Sequence, residues 1–175
     1  MCRLEYKEVL HAATPHPAGS IRFSLAVSMT TPPSSLHDGQ RVFEARLGEL
    51  AATAAFVHEF FERHALDPAV GLRVTLILEE LVTNTVTHGH GGDSEAPIRI
   101  ALSLGGGTVS LLYEDNAPRF DPQPHLRTAP ASLEAPLEPR PTGGLGLYLV
   151  GQFVTRVRYA HEDGCNRLWL AVPLP

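Results

Sequence analysis

The sequence predicts an α+β fold, a two-layer α/β sandwich in which helices cover one face of a mixed, mainly antiparallel sheet. Three stretches predict it. Residues 72–89, LRVTLILEELVTNTVTHG, read as a helix with a broad apolar side of Val74, Leu78, Leu81, Val82 and Val86. Residues 98–104 and 108–114 alternate apolar and polar around Gly105-Gly106-Gly107, the pattern of a hairpin with one covered face. Residues 156–161 and 166–172 form a second strand pair, joined through Asp163-Gly164, a strong hairpin-turn signal. The apolar side of the helix is the natural cover for the first hairpin.

In chain order, the first segment is the least organised. Residues 1–38 are broken by Pro15, Pro17, Pro32 and Pro33, and TTPPSS is turn-like, so a flexible N-terminal extension is expected, with IRFSLAVS able to form one strand. The domain proper is expected over residues 39–175. RVFEAR (41–46) reads as an edge strand. Residues 47–65 have helical spacing, with Leu50, Ala54, Val57, Phe60 and Phe61 on one face, and Asp67-Pro68 ends that helix in a turn. His58 and His64 read as exposed or satisfied side chains rather than ligands. After the central helix, Gly89, Gly91 and Gly92 stop it and make a mobile link. His88, His90 and Asp93 in this link suggest a transition-metal site, but nothing else in the sequence supports one. From residue 115 to Thr142 the chain is Pro-rich and without a period, as in a lid or a binding loop. Gly143-Gly144-Leu145-Gly146-Leu147 then opens an apolar helix, and glycines there let backbone amides approach an anion closely.

Composition narrows the function classes. A length of 175 residues fits one domain, and 43% hydrophobic content is ordinary for a globular core. A formal net charge of −5 gives no basic footprint for nucleic acid. Cys2 and Cys165 are too few for a disulfide framework and do not suggest a metal site. No apolar run approaches the ~20 residues that cross a bilayer, and no signal pattern opens the chain. The expectation is a cytoplasmic protein with no nucleic-acid or membrane partner.

Glu80, Asn84 and His88, spaced i, i+4, i+8, stack a carboxylate, a carboxamide and an imidazole along one side of the helix. A carboxylate can accept a proton, and a carboxamide oxygen suits a hard cation such as Mg2+. Taken alone, this row also fits a solvated helix face. Three pieces stand in order, however: Glu80-x-x-x-Asn84-x-x-x-His88-Gly89, Asp115-x-Ala117 after a strand, and Gly143-Gly144-Leu145-Gly146-Leu147 opening a helix. Together they resemble the GHKL, or histidine-kinase-like, ATP-binding fold (the Bergerat fold) of gyrase, a class of heat-shock chaperones, histidine kinases and MutL. The phrases EELVTNTVTHG, EDNAPRFDP, GGLGLYLV and RVRYAHEDGCNRLWL are most similar to the anti-sigma-factor serine/threonine kinases of the RsbW and SpoIIAB type, over roughly residues 40 to 173.

The resemblance implies roles at matching positions. Asn84 would coordinate Mg2+ bridging the ATP phosphates, and Glu80 would be the catalytic general base. Asp115 would accept a hydrogen bond from the adenine amino group. Gly143, Gly144, Leu145 and Gly146 would meet the phosphates, with Arg119, Arg127 and Arg140 as available lid cations. His88 and Gly89 would shape the pocket. Where the family usually has glycine this chain has Ala117, whose methyl group either narrows the adenine end or is tolerated if the backbone angles are ordinary. The implied function is a Mg2+- and ATP-dependent protein serine kinase, usually a homodimer. It would phosphorylate a small anti-anti-sigma partner that competes with a sigma factor. Two alternatives stand beside it. One is an ATP-binding or degenerate module that sequesters a partner without kinase turnover. The other is a detached histidine-kinase catalytic domain, for which His11, His16 and His37 offer no long phospho-accepting helix.

Overall fold

The computed structural model describes residues 38–128 and 145–175. Their elements are β1 (Gly39–Glu44), α1 (Leu50–Arg63), α2 (Pro68–Asn84), β2 (Pro97–Gly105), β3 (Thr108–Asp115), α3 (Gln123–Arg127), α4 (Leu145–Phe153), β4 (Arg156–Glu162) and β5 (Cys165–Pro173). The strands form one sheet in the order β1-β2-β3-β5-β4, and each neighbouring pair is antiparallel. The sheet is therefore antiparallel throughout rather than mixed among the described residues. The expected extension lies outside them except for Asp38, as do Gly143, Gly144 and Arg140.

The period-two pattern of the strands explains the core. Ile98, Ile100 and Leu102 of β2, Val109 and Leu111 of β3, and Leu168, Leu170 and Val172 of β5 are buried in one cluster with Phe56, Val57, Phe60 and Phe61 of α1 and Val74, Ile77, Leu78, Leu81 and Val82 of α2. Each such side chain contributes roughly 1.5–3 kcal/mol on burial. His64 follows α1 and packs on the Phe60 ring at 4.6 Å; its Nε2 is buried without a hydrogen-bond partner among the described residues, so it is neither exposed nor satisfied as expected.

The boundaries of α2 differ from the sequence expectation at both ends. Asp67 and Pro68, read as a turn, start the helix. The Asp67 carboxylate accepts the Ala69 N–H at 2.8 Å, and Pro68 in the first turn has no N–H to leave unsatisfied. At the other end the helix widens into a π turn over Thr85–Gly89, closed by the His90 N–H on the Thr85 carbonyl at 2.9 Å. The link beyond is tied down: Ser94 N–H donates to the Ala45 carbonyl at 2.8 Å, and the Asp93 carboxylate accepts the Leu47 N–H at 3.0 Å. The alternative of a His88, His90 and Asp93 metal site is not formed: no cluster of three or more such ligands occurs among the described residues. The short helix α3 lies in the stretch read as aperiodic, and its Leu126 is buried beside α4.

On the sheet face away from the helices, an ion-pair ladder crosses three strands. Glu114 of β3 holds Arg99 of β2 at 2.8 Å and Arg167 of β5 at 2.6 Å, and Arg167 also meets Glu162 at 3.0 Å. The hydrogen bond that Arg167 donates to Glu114 raises the guanidinium pKa above its ordinary value. Glu114 is buried while the two arginines are partly exposed, so these pairs are screened less than surface ones. The ladder fixes the register in which Asp115, next to Glu114, stands opposite Asn166, next to Arg167. The turn between β4 and β5 has Asp163 and Gly164 both at positive φ, 54° and 73°, the primed hairpin geometry expected of Asp-Gly. Cys165, buried at the head of β5, is not a free thiol, which nothing in the sequence signals.

Candidate functional site

Glu80 and Asn84 occupy successive turns of α2, both half-buried. The Asn84 Nδ2 donates to Glu80 Oε1 at 2.7 Å, the i, i+4 contact the spacing predicts. The start of α4 lies directly against this pair. A Cβ on Gly146 would collide with the Glu80 carboxylate, so only glycine permits the approach seen here. Leu145 beside it is exposed. His88 falls in the π turn and is exposed.

Asp115 ends β3, and its carboxylate is buried at 7% exposure. Three donors from three parts of the chain hold it. Ala117 N–H and Asn166 Nδ2 donate to Oδ1 at 2.9 and 2.8 Å, and the Thr85 hydroxyl donates to Oδ2 at 3.3 Å. Thr85 is set by Tyr113, whose hydroxyl donates to Thr85 Oγ1 at 2.8 Å, with the Leu81 carbonyl a longer acceptor at 3.3 Å. Burial pushes the Tyr113 phenol well above its ordinary pKa, and the nearby Asp115 charge pushes it the same way. It is therefore a fixed donor at neutral pH. Because Thr85 follows Asn84 directly, the two ends of the site share one helix terminus.

Ala117 is buried and has no left-handed backbone; among the described non-glycine residues only Ala65 and Asp163 do. Its methyl group packs on Gly89, where an added Cβ would lie 2.7 Å from it. Of the two outcomes expected for Ala117, the backbone angles are the ordinary ones, with Gly89 leaving room for the methyl.

A family model described as a histidine kinase-like ATPase domain matches residues 43–172. The chain belongs to this family. It is 32% identical over 97 residues to the serine/threonine-protein kinase BtrW of Bordetella bronchiseptica, a match covering 55% of this chain and 66% of the relative. It is 30% identical over 95 residues to the serine-protein kinase RsbW of Bacillus cereus, covering 53% of this chain and 58% of the relative. The chain therefore spans about three fifths to two thirds of these relatives. A crystal structure of the RsbU and RsbW domains of Rv1364c from Mycobacterium tuberculosis shares the fold, with a TM-score of 0.52 at 20% identity over 78% of this chain and 32% of that one.

The donor set of this histidine kinase-like ATPase domain fits the groups its family implies. The Asn84 Nδ2 is committed to Glu80, and among the described residues nothing hydrogen-bonds its Oδ1, a neutral oxygen of the kind Mg2+ takes. A carboxylate has about four acceptor positions. Asp115 uses two on Oδ1 and one on Oδ2, so Oδ2 retains an acceptor for an amino group. Arg119 lies beside Tyr159, and Arg127 is exposed at the end of α3. Thr85, Tyr113 and Asn166 have none of the chemical roles that the sequence assigns. Tyr113 reads only as an inward core residue. Asn166 carries the one usable signal, since asparagine is disfavoured inside a strand and its presence there asks for a reason. Clefts of about 310 Å3 beside Arg73 and Phe153, and of about 130 Å3 beside Leu126 and Val157, do not include Glu80, Asn84 or Asp115.

Proposed function

We propose that this chain binds ATP with Mg2+ and transfers the γ-phosphoryl group to a serine or threonine of a small anti-anti-sigma-type protein. The observation that carries this reading is the pairing of Glu80 and Asn84 beside Gly146, on the helix whose next residue, Thr85, holds Asp115. In this reading Asp115 Oδ2 accepts from the adenine amino group, and Asn84 Oδ1 is the Mg2+ ligand. Mg2+ when bound supplies neutralisation of phosphate charge. Glu80 takes the proton of the attacking hydroxyl as its oxygen bonds to phosphorus and the bridging oxygen of the nucleoside diphosphate leaves. The serine-protein kinase names of the relatives support the protein substrate, and the sigma factor as competitor and the homodimer belong to the same reading. A cytoplasmic location does as well; among the described residues no helix is long and apolar enough to cross a membrane.

The second reading, partner sequestration without turnover, is favoured by one contact. The Glu80 carboxylate is covered by Gly146 and bonded to Asn84. Calorimetric titration of ATP with Mg2+ and then with EDTA tests the nucleotide site, and magnesium-dependent binding is expected. No binding at millimolar ATP overturns both the kinase reading and the ATP-binding form of the second. Binding without phosphotransfer to any anti-anti-sigma-type protein favours sequestration.

A further inference from the structure

Asn166 makes more hydrogen bonds than any other side chain near the site. It lies on the inward face of β5 directly opposite Asp115, at 7% exposure. Its Nδ2 is 2.8 Å from Asp115 Oδ1, 3.1 Å from the Ala117 carbonyl and 3.3 Å from the Pro118 carbonyl. Its Oδ1 accepts from the Tyr159 hydroxyl at 2.8 Å and from the Phe120 N–H at 3.3 Å. All the acceptors lie on one side of the amide and both donors on the other. A flipped amide would face its oxygen to a carboxylate and two carbonyls, so the network fixes the orientation. Tyr159 is a protonated donor at neutral pH, because burial raises its phenol pKa while Arg119 beside it pulls the other way.

From this geometry we infer that Asn166 is a positioning residue for base recognition: it sets the Asp115 carboxylate and the 117–120 turn so that the nucleotide's 6-amino group is selected. The inference rests on the reading that Asp115 takes that group. The argument is one of acceptor count. Asn166 and the Ala117 N–H together occupy Oδ1, and Thr85 takes one position on Oδ2. The open acceptor is thereby confined to Oδ2, and the carboxylate cannot rotate without breaking all three bonds. Without Asn166, Oδ1 loses one donor and the turn that supplies the other loses its anchor at Ala117, Pro118 and Phe120. Asp115 then becomes a poorly aimed acceptor that gains less from an amino group.

The test compares ATP with purine riboside triphosphate, which lacks the 6-amino group, by titration into the full chain with Mg2+. Wild type is expected to prefer ATP by roughly ten-fold or more, the worth of a hydrogen bond to a charged acceptor. In Asn166→Ala the preference is expected to fall to about two-fold, with purine riboside triphosphate affinity nearly unchanged. A purely structural role would weaken both nucleotides alike and leave their ratio intact, which overturns the inference while the nucleotide reading stands. Equal binding of both nucleotides by wild type, or none, overturns the Asp115 reading and the inference with it. Should Asn166→Ala fail to fold, Tyr159→Phe carries the test. It removes one of the two donors on Asn166 Oδ1 and is expected to cut the ATP preference about three-fold, and an unchanged preference overturns the inference.

Discussion

The two carboxylates of the site, Asp115 and Glu80, are held in opposite ways. Asp115 is buried and receives three donors, from the end of the central helix, from its own turn and from β5. Glu80 is half-buried, receives one, from Asn84 on its own helix, and lies under Gly146 of α4, which must move aside for a substrate hydroxyl. A group that recognises a ligand gains from being fixed before the ligand arrives, since no reorganisation is then needed on binding. A group that accepts a proton must keep an oxygen open and be able to shift toward its substrate. In the proposed function this contrast corresponds to base recognition at Asp115, the reading end, and proton transfer at Glu80, the reaction end.

The largest expected effect tests that division directly. Glu80→Gln keeps the shape and the bond to Asn84 but removes the base, so phosphotransfer should fall by about 10²–10⁴-fold while ATP affinity stays nearly constant. Asp115→Asn should do the reverse, weakening ATP binding by roughly 10–100-fold through loss of a charge-assisted bond. Titration and single-turnover phosphotransfer on the same preparations separate the two. If Glu80→Gln loses binding and transfer equally, the carboxylates do not divide the work.

The reaction end was the more legible of the two in the sequence. Glu80 and Asn84 are four residues apart on one regular helix, and helical spacing alone brings them together. What the spacing does not show is that the helix becomes a π turn at Thr85, since a π turn has no single-sequence signature. The reading end depends on non-local pairing. Asn166 meets Asp115 only through the β3–β5 register, 51 residues away in the chain, and that register is fixed by the Glu114 ladder on the opposite face. Thr85 looks like one more polar residue in VTNTVTHG until Tyr113 and Asp115 are placed across from it.

A smaller effect probes how tightly the reading end is packed. The only close neighbour of a Cβ added to Gly89 is the Ala117 methyl, at 2.7 Å, with Asn84 O and Thr85 Cγ2 at 3.9 and 4.0 Å. Gly89→Ala should therefore destabilise the fold by about 1–3 kcal/mol through overpacking. Adding Ala117→Gly removes the obstructing methyl and should recover most of that loss. Denaturant unfolding of the two single variants and the double variant reads the coupling. Additive effects would mean that the two positions do not share one space, and that Ala117 in place of glycine is accommodated elsewhere.

The smallest effect concerns Tyr113, behind the reading end. Tyr113→Phe leaves Thr85 without its donor, worth about 1 kcal/mol at neutral pH. The sharper signature is in alkali. An unfolded tyrosine ionises near pH 10, while burial and the Asp115 charge hold the folded phenol well above that. Below about pH 10 both states keep the proton, and the stabilising preference for the neutral phenol is fully present. As pH rises further, the unfolded chain gives up its proton first and stability falls until the folded phenol also ionises. Tyr159, also raised, is common to both proteins and cancels in their difference. Urea unfolding at pH 8 and above pH 10 should thus show wild type losing more stability than Tyr113→Phe. Equal losses would place an ionisable or hydrated phenol behind Asp115, and the carboxylate would then be less firmly held than its three donors require.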